Sequence, residues 1–248
     1  MTFNSIASEY DSEFTNTPLA RALRAIVWAR LDALFPPGAR VLELACGTGE
    51  DAGHLASRGV QVLATDQSEK MLDIARAKCA GLPVAFAKVD LRNARIGELG
   101  TFDGVFSNFG GLNAISDYQS LSLPSSVKPG GKLLFVIMGR HCAWEMAWHL
   151  LHGDRMTAFR RWQKEGTLAR VGQATMPVYY PSTAELRRAF APHFRLVRVR
   201  PLGNFLPPSY LEHLTRRWWF PFRLWAWLDQ HLPWPLWADH TIYEFVRG

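Results

Sequence analysis

The segment VLELACGTGEDAGHLASRG, residues 41–59, constrains the fold more than any other part of the chain. It opens on a short apolar run, passes through Gly47-Thr48-Gly49 and continues with small residues at helical spacing. That order reads as strand, turn, helix. Glycines in the turn let a ligand approach the backbone, and the first turn of the helix offers N–H groups without intrahelical partners. The spacing is Glu-x-x-x-Gly-x-Gly, not the Gly-x-Gly-x-x-Gly of a pyrophosphate loop. Glu43, at the strand end, would repel a pyrophosphate and suit a ligand carrying an ammonium or sulfonium group.

The residues that follow repeat the alternation. Val62–Thr65, Val84–Val89, Phe102–Ser107 and Lys132–Met138 are strand candidates. Helices are predicted from about Glu69 to Cys79 and near Ser116–Val127, the latter ending at Lys128-Pro129-Gly130-Gly131. Lys132–Met138 is nearly all apolar, as a strand buried on both faces must be. The order predicts an α/β fold with a doubly wound parallel sheet, whose ligands sit beyond the C-terminal strand edges. The second strand candidate is followed by Asp66, in VLATDQS, and the third by Asp90, in AKVDLRN. An acid at the first place can accept from both ribose hydroxyls, and at the second from an adenine amino group. Each acid alone could equally cap a helix. Three strand-end acids in series favour a ligand.

Taken together, VLELACGTGE, VLATDQSEKML, KVDL, FDGVFSNFGGLN and VKPGGKLLFV resemble the class I S-adenosylmethionine-dependent methyltransferases, over residues 35–140. The resemblance implies a Rossmann-like, seven-stranded sheet with an antiparallel last strand and S-adenosyl-L-methionine as cofactor. Phe194–Arg200 and Thr241–Val246 fit the last two strands, after a helix near Thr183–Phe190. It also implies that Glu43, Ala45, Gly47 and Gly49 line the methionine moiety, Asp66 and Gln67 the ribose, and Asp90 and Leu91 the adenine. Ser107 and Asn108 follow the fourth strand, where the sulfonium and the nucleophile would meet. Tyr10, in ASEYD, resembles a tyrosine that closes over the cofactor, and Arg21 or Arg24 would pair with the methionine carboxylate. No Asn/Asp-Pro-Pro-Tyr motif follows the fourth strand, which points away from nucleobase or glutamine methylation and towards a small-molecule acceptor.

Composition divides the chain. Residues 1–138 hold 13 Lys+Arg and 14 Asp+Glu; residues 139–248 hold 15 and 8, and nine of the ten tryptophans. The three cysteines, Cys46, Cys79 and Cys142, form no paired framework, and the start resembles no signal peptide, so a cytoplasmic protein is expected. One domain is expected, with a core of 35–140, 181–202 and 239–248 and lid insertions at 139–180 and 203–238. The first insertion carries His141-x-x-x-Glu145-x-x-x-His149-x-x-His152. The spacing is metal-like, but no carboxylate cluster accompanies it, and no metal is expected. His141 or Glu145 is instead a candidate general base, with a solvated helix face as the plain alternative. The second insertion holds RRWWFPFRLWAWLDQHLPWPLW, residues 216–237. Its prolines divide it into pieces too short to span a bilayer. It can lie in a lipid headgroup layer, roof an apolar acceptor pocket as a Trp-rich helical lid, or pack as core. The basic residues form no dense run, so nucleic acid is not an expected partner.

The expected reaction is in-line methyl transfer to oxygen or nitrogen of an apolar or amphiphilic small molecule, with Asn108 and Asn113 orienting the nucleophile. Two other readings stay open: a lyase or cyclopropane-forming enzyme using the same cofactor, and a silent subunit that recruits a partner to membranes.

Overall fold

Runs of apolar residues become strands here because both faces of the sheet are covered. The computed structural model describes residues 2–93, 96–171, 174–212, 215, 219–232 and 237–248. Its main sheet is built from β1 (Arg40–Leu44), β2 (Gln61–Asp66), β3 (Val84–Lys88), β4 (Phe102–Ser107), β5 (Val127–Met138), β8 (Phe194–Leu202) and β9 (His240–Arg247). The strand order is β3-β2-β1-β4-β5-β9-β8. β9 runs antiparallel to both neighbours, and the remaining pairings are parallel. The chain leaves β1 in one direction for β2 and β3, then returns to place β4 on its other side. That reversal opens a crevice at the C-terminal ends of β1 and β4.

One apolar cluster lies under α2 (Pro18–Leu34), α3 (Glu50–Ser57) and α4 (Glu69–Lys78). Leu19, Leu23, Ile26, Val27 and Leu31 form the buried stripe of α2, and Thr17 caps its N-terminus by accepting from Ala20 N at 3.1 Å. The guanidinium of Arg30 forks onto Glu244 of β9 at 2.7 and 2.9 Å, fixing α2 to the sheet. The second cluster covers the other face, with Leu186 and Phe190 of α7 (Thr183–Phe190). β5 serves both: Leu134 and Val136 enter the first cluster, and Leu133, Phe135 and Ile137 the second. Each fully buried side chain of this kind contributes roughly 1.5–3 kcal/mol.

The helix predicted near Ser116–Val127 does not form. Two short 3₁₀ turns stand there, at Gln119–Leu121 and Leu123–Ser125, after a third at Gly111–Ala114. The side chains of this serine-rich stretch bond their own backbone: Asp117 Oδ1 accepts from Gln119 N at 2.9 Å and Ser125 Oγ donates to Ser122 O at 2.7 Å. Such bonds compete with helix hydrogen bonding, and Pro124 has no N–H to give. Tyr118, Leu121 and Leu123 still fill the second cluster.

Between β5 and α7 lie α5 (Ala143–Leu151), α6 (Arg155–Ala158) and a separate hairpin, β6 (Thr167–Val171) with β7 (Ala174–Val178). The hairpin was not anticipated. After β8 comes α8 (Trp219–His231), which holds most of the described part of the Trp-rich stretch. Pro221 stands in its first turn, where a missing N–H costs little. Phe222 of α8 is buried in the first cluster, Trp225 and Ala226 pack against it, and Trp225 meets Trp144 of α5 ring to ring. Asp229 accepts from Asn204 N at 2.7 Å and Leu206 N at 2.8 Å, tying α8 to the loop after β8. Leu224 and Trp227 are about half exposed. Residues 216–218 and 233–236 of the stretch lie outside the described residues.

Candidate functional site

A cavity of about 460 Å³ occupies the crevice beyond β1 and β4, within the size range of small-molecule and cofactor sites. One wall is the turn after β1, with Ala45, Cys46, Gly47 and Thr48. Asp66 ends β2 and Gln67 follows it, Asp90 and Leu91 follow β3, and Asn108 and Phe109 follow β4. Arg24 of α2 and Asp51 of α3 form the side facing the first apolar cluster, and Met176 and Pro177 come from the β6–β7 hairpin. Phe3, Tyr10 and Thr15 close the cavity from the N-terminal segment, which includes α1 (Ala7–Tyr10). Polar contacts hold that segment down. Asp11 accepts from Thr48 Oγ1 at 2.5 Å and pairs with Lys78 at 2.8 Å, and Ser68 Oγ donates to Asn4 at 2.5 Å.

The turn is strained. Ala45 has φ +57° and Phe109 φ +44°, in a region that costs a non-glycine residue about 1–3 kcal/mol. Asp66 helps to hold it: one carboxylate oxygen accepts from Gly47 N at 3.0 Å and the other from Ser68 N at 2.8 Å. Burial nevertheless pushes the Asp66 carboxyl above its usual range. Glu43 lies behind the turn, 1% exposed, with Oε2 lacking any partner. Burial first, and then the neighbouring Asp51, raise its pKa well above the usual glutamate value. Asp51 is the busiest acid of the site. Its Oδ1 takes Arg24 Nη1 and Trp28 Nε1, both at 2.7 Å, and its Oδ2 takes Asn108 Nδ2 at 2.9 Å. At the far end, the Arg92 guanidinium forks onto Asp90 at 2.9 and 2.6 Å and reaches Gln67 at 3.3 Å. Those bonds hold the Asp90 carboxyl below its usual range.

Residues 41–131 match the family model described as "Methyltransferase domain". The chain is 33% identical over 142 residues to the methyltransferase YqeM of Bacillus subtilis, covering 54% of this chain and 55% of that one. It is 35% identical over 137 residues to a demethylmenaquinone methyltransferase of Clavibacter sepedonicus, covering 53% and 54%. The chain thus spans about half the length of the curated relatives it matches. Among solved structures, an S-adenosylmethionine-dependent methyltransferase from Clostridium acetobutylicum superposes with TM-score 0.64, at 14% identity and 99% coverage of both chains. Residues 41–131 carry a methyltransferase domain. The sheet, antiparallel strand included, has the fold of that S-adenosylmethionine-dependent enzyme. The cavity fits that cofactor: it is large enough, it has a glycine at the strand turn, and a buried, partly unpartnered Glu43 lies behind it for a cationic ligand.

The fold gathers Tyr10, Ala45, Gly47, Asp66, Gln67, Asp90, Leu91 and Asn108 around one cavity. Glu43 and Ser107 lie buried outside its lining, and Ser107 Oγ has no partner. Gly49 lies outside it too and has a packing reason: a Cβ there would come within 2.8 Å of Ala75 Cβ. Arg21 is not brought in. It is exposed and bonds Asn16 at 3.4 Å, while Arg24, three residues on and turned inward, lines the cavity. Both polar ends of the Asn108 amide are engaged, Oδ1 accepting from Phe109 N at 2.9 Å, so it braces the loop. Asn113 is a clamp outside the cavity lining, donating to Met138 O and Tyr179 O at 3.0 and 2.6 Å.

His141 and Glu145 are not brought to the cavity. The His141 ring stands between Trp162 and Trp237, with centroids at 5.7 and 6.0 Å. Glu145 is 1% exposed and receives Arg160 and Arg161, each through two bonds of 2.9–3.1 Å. Burial opposes its charge, but the two arginines outweigh burial and keep its carboxyl below the usual range. Such a group is a poor base. Among the described residues no three His, Cys, Asp or Glu side chains converge as a metal site would require. Asp51, Arg92, Phe109 and the Met176–Pro177 wall were missed by sequence reasoning.

Two outcomes are expected. Glu145→Ala leaves Arg161 buried with one carboxylate fewer and should cost about 3–5 kcal/mol of stability; urea unfolding measures it, and an unchanged midpoint would contradict the architectural role. Glu43 has a raised pKa when folded, so the folded state binds more protons than the unfolded one above the ordinary glutamate value. The Glu43 contribution to stability therefore falls as pH rises from about 4.5 towards the folded pKa. In cofactor-free protein, Glu43→Gln should gain in melting temperature over the wild type as pH is raised from 5 to 8. A constant difference across that range would show that Glu43 is charged in the fold.

Proposed function

We propose that the chain transfers methyl from S-adenosylmethionine to oxygen or nitrogen of an apolar or amphiphilic small molecule. The observation that carries this is a single cavity with two unlike walls. The turn after β1, Asp66, Asp90 and Leu91 form a polar, strand-end wall; Phe3, Phe109, Met176 and Pro177 form an apolar one. The cofactor supplies a methyl group already activated on sulfonium, so the protein's work is binding, alignment and exclusion of water. In this reading Asp66 holds the ribose, and Leu91 packs on the adenine beside Asp90. The positive charge of the bound ammonium and sulfonium draws Glu43 towards its charged form, and the unpartnered Nε of Arg24 donates to the methionine carboxylate. Tyr10 and Phe3 exclude water from above. Asn108, fixed by Asp51, positions the loop on which Phe109 faces the acceptor. Likeness to demethylmenaquinone methyltransferases supports a lipophilic acceptor.

Radiolabelled S-adenosylmethionine incubated with the protein and a bacterial lipid extract is expected to label the organic phase, with at least a tenfold loss in Asp66→Ala. Label confined to the aqueous phase would exclude the lipophilic acceptor. Label unaffected by Asp66→Ala would exclude this cofactor site.

A membrane-surface contact is a second part of the proposal. Leu224, Trp227 and Trp237 are about half exposed, and Arg223 is exposed beside them. Indole with guanidinium suits a headgroup layer. No described helix is long and apolar enough to cross a membrane. The protein is expected to float with vesicles of phosphatidylglycerol and phosphatidylcholine, and the Leu224→Ala/Trp227→Ala double variant to stay behind. Wild type remaining at the bottom of the gradient would remove this contact.

A further inference from the structure

Methylation of a hydroxyl or a protonated nitrogen needs a base, and the acids of the cavity are committed elsewhere. Asp51 takes three donors, Asp66 takes two backbone N–H groups, Asp90 is forked by Arg92, and Glu50 pairs with Lys78 at 2.9 Å. Tyr10 is held protonated by burial. A different group stands just outside the cavity lining, against the Phe109 ring. His240 opens β9 and pairs with Met138, the last residue of β5, at the strand edge where the crevice lies. Ile242 in the first cluster and Glu244 on Arg30 show that this set of β9 side chains faces the α2 layer. His240 meets the edge of the Phe109 ring at 5.7 Å and 89°, and Arg24 lies over the same ring at 5.0 Å. Phe109 itself lines the cavity and is held with positive φ.

The imidazole is oriented from behind. His240 Nδ1 lies 3.1 Å from Asp239 Oδ2, somewhat off the line of an ideal bond, and has no other partner. Asp239 Oδ1 receives Arg161 at 2.6 Å, and the same guanidinium carries Glu145. Burial opposes the charge of Asp239, but His240 and Arg161 outweigh it and hold the carboxyl well below its usual range. A carboxylate beside Nδ1 favours the tautomer with its proton there, leaving the Nε2 lone pair free. Nε2 has no partner among the described residues and reaches solvent. The charged groups around the ring are thus Asp239 and Arg161, with Glu145 behind them and Arg24 across Phe109.

We propose that His240 is the general base of the transfer, with Asp239 as its positioning residue and Phe109 as the shared wall between base and cofactor cavity. The proposal rests on the methyltransferase reading. As the acceptor oxygen or nitrogen forms its bond to the methyl carbon, the carbon–sulfur bond breaks and its electron pair stays on sulfur. The acceptor's O–H or N–H proton passes to His240 Nε2 and then to water on product release.

The test uses the full chain. Long-range ¹⁵N NMR at pH 7.5 is expected to show His240 with Nδ1 protonated and Nε2 bare, and the opposite tautomer would overturn the proposal. With S-adenosylhomocysteine bound, titration of 1-naphthol, a simple aromatic hydroxyl, is expected to shift the Nε2 resonance; a resonance that stays fixed at saturation would also overturn it. In labelling of lipid extract, His240→Gln should lower kcat at least about 100-fold with the KM for S-adenosylmethionine unchanged. A retained rate would overturn the assignment. His240→Gln leaves Arg161 and Asp239 paired, so its fold is expected to survive, and circular dichroism checks that. Calorimetry with S-adenosylmethionine separates the two readings: no binding to wild type defeats the methyltransferase assignment and the base with it, while binding together with the opposite tautomer or a retained His240→Gln rate defeats His240 alone.

Discussion

The carboxylate of Asp51 is the interaction on which the rest of the site depends. It collects Arg24 and Trp28 from α2 and Asn108 from the loop after β4, while its own backbone begins α3. One acid therefore sets the distance between the first long helix, the turn helix and the fourth-strand loop. Each partner is a hydrogen-bond donor: Arg24 answers the charge, and the neutral Trp28 and Asn108 fill the remaining lone pairs. The strained φ of Phe109 is tolerable because Asn108, one residue earlier, is tied at both ends of its amide.

A second set of charges plays the same part for the region outside the common sheet. Arg161, 4% exposed, joins Glu145 of α5 to Asp239 at the entry to β9. Removing either acid would leave a cation in a place where water cannot reach it, which is why such sets are usually all or nothing. Through Asp239 this set reaches the ring of His240, and through His240 the wall of the cavity. The tryptophans are divided between roles: Trp225 packs on the core beside Trp144, while Trp227 and Trp237 remain about half exposed.

The sheet was legible in the sequence because strands buried on both faces leave unbroken apolar runs, and the strand-end acids Asp66 and Asp90 follow directly from those boundaries. The inward place of Arg24 and the outward place of Arg21 were legible too. Leu23, Val27 and Leu31 mark the inward face of α2, and Arg24 lies on that stripe while Arg21 lies across from it. Asp51 gave no signal, since an acid in the first turn of a helix is ordinary complementation of the helix dipole. His141 and Glu145 had convincing helical spacing, but spacing says which face a residue occupies and not what meets it. The arginines that claim Glu145 stand 15 and 16 positions further on, past a turn that no pattern predicts. The helix expected near Ser116–Val127 failed for a local reason, serine and aspartate side chains competing for the backbone.

The place of β9 in the strand order has a consequence for how the molecule is assembled. β8 borders only β9, and β9 is the strand that joins it to β5. During synthesis β8 emerges first and has no sheet edge to join, so it and α7 must wait for a strand made some 40 residues later. The apolar side chains of β5 are in the same position, open along one edge until β9 inserts. A chaperone that shields the β5 edge would protect the one interval in which this sheet is most able to pair with a strand from another chain.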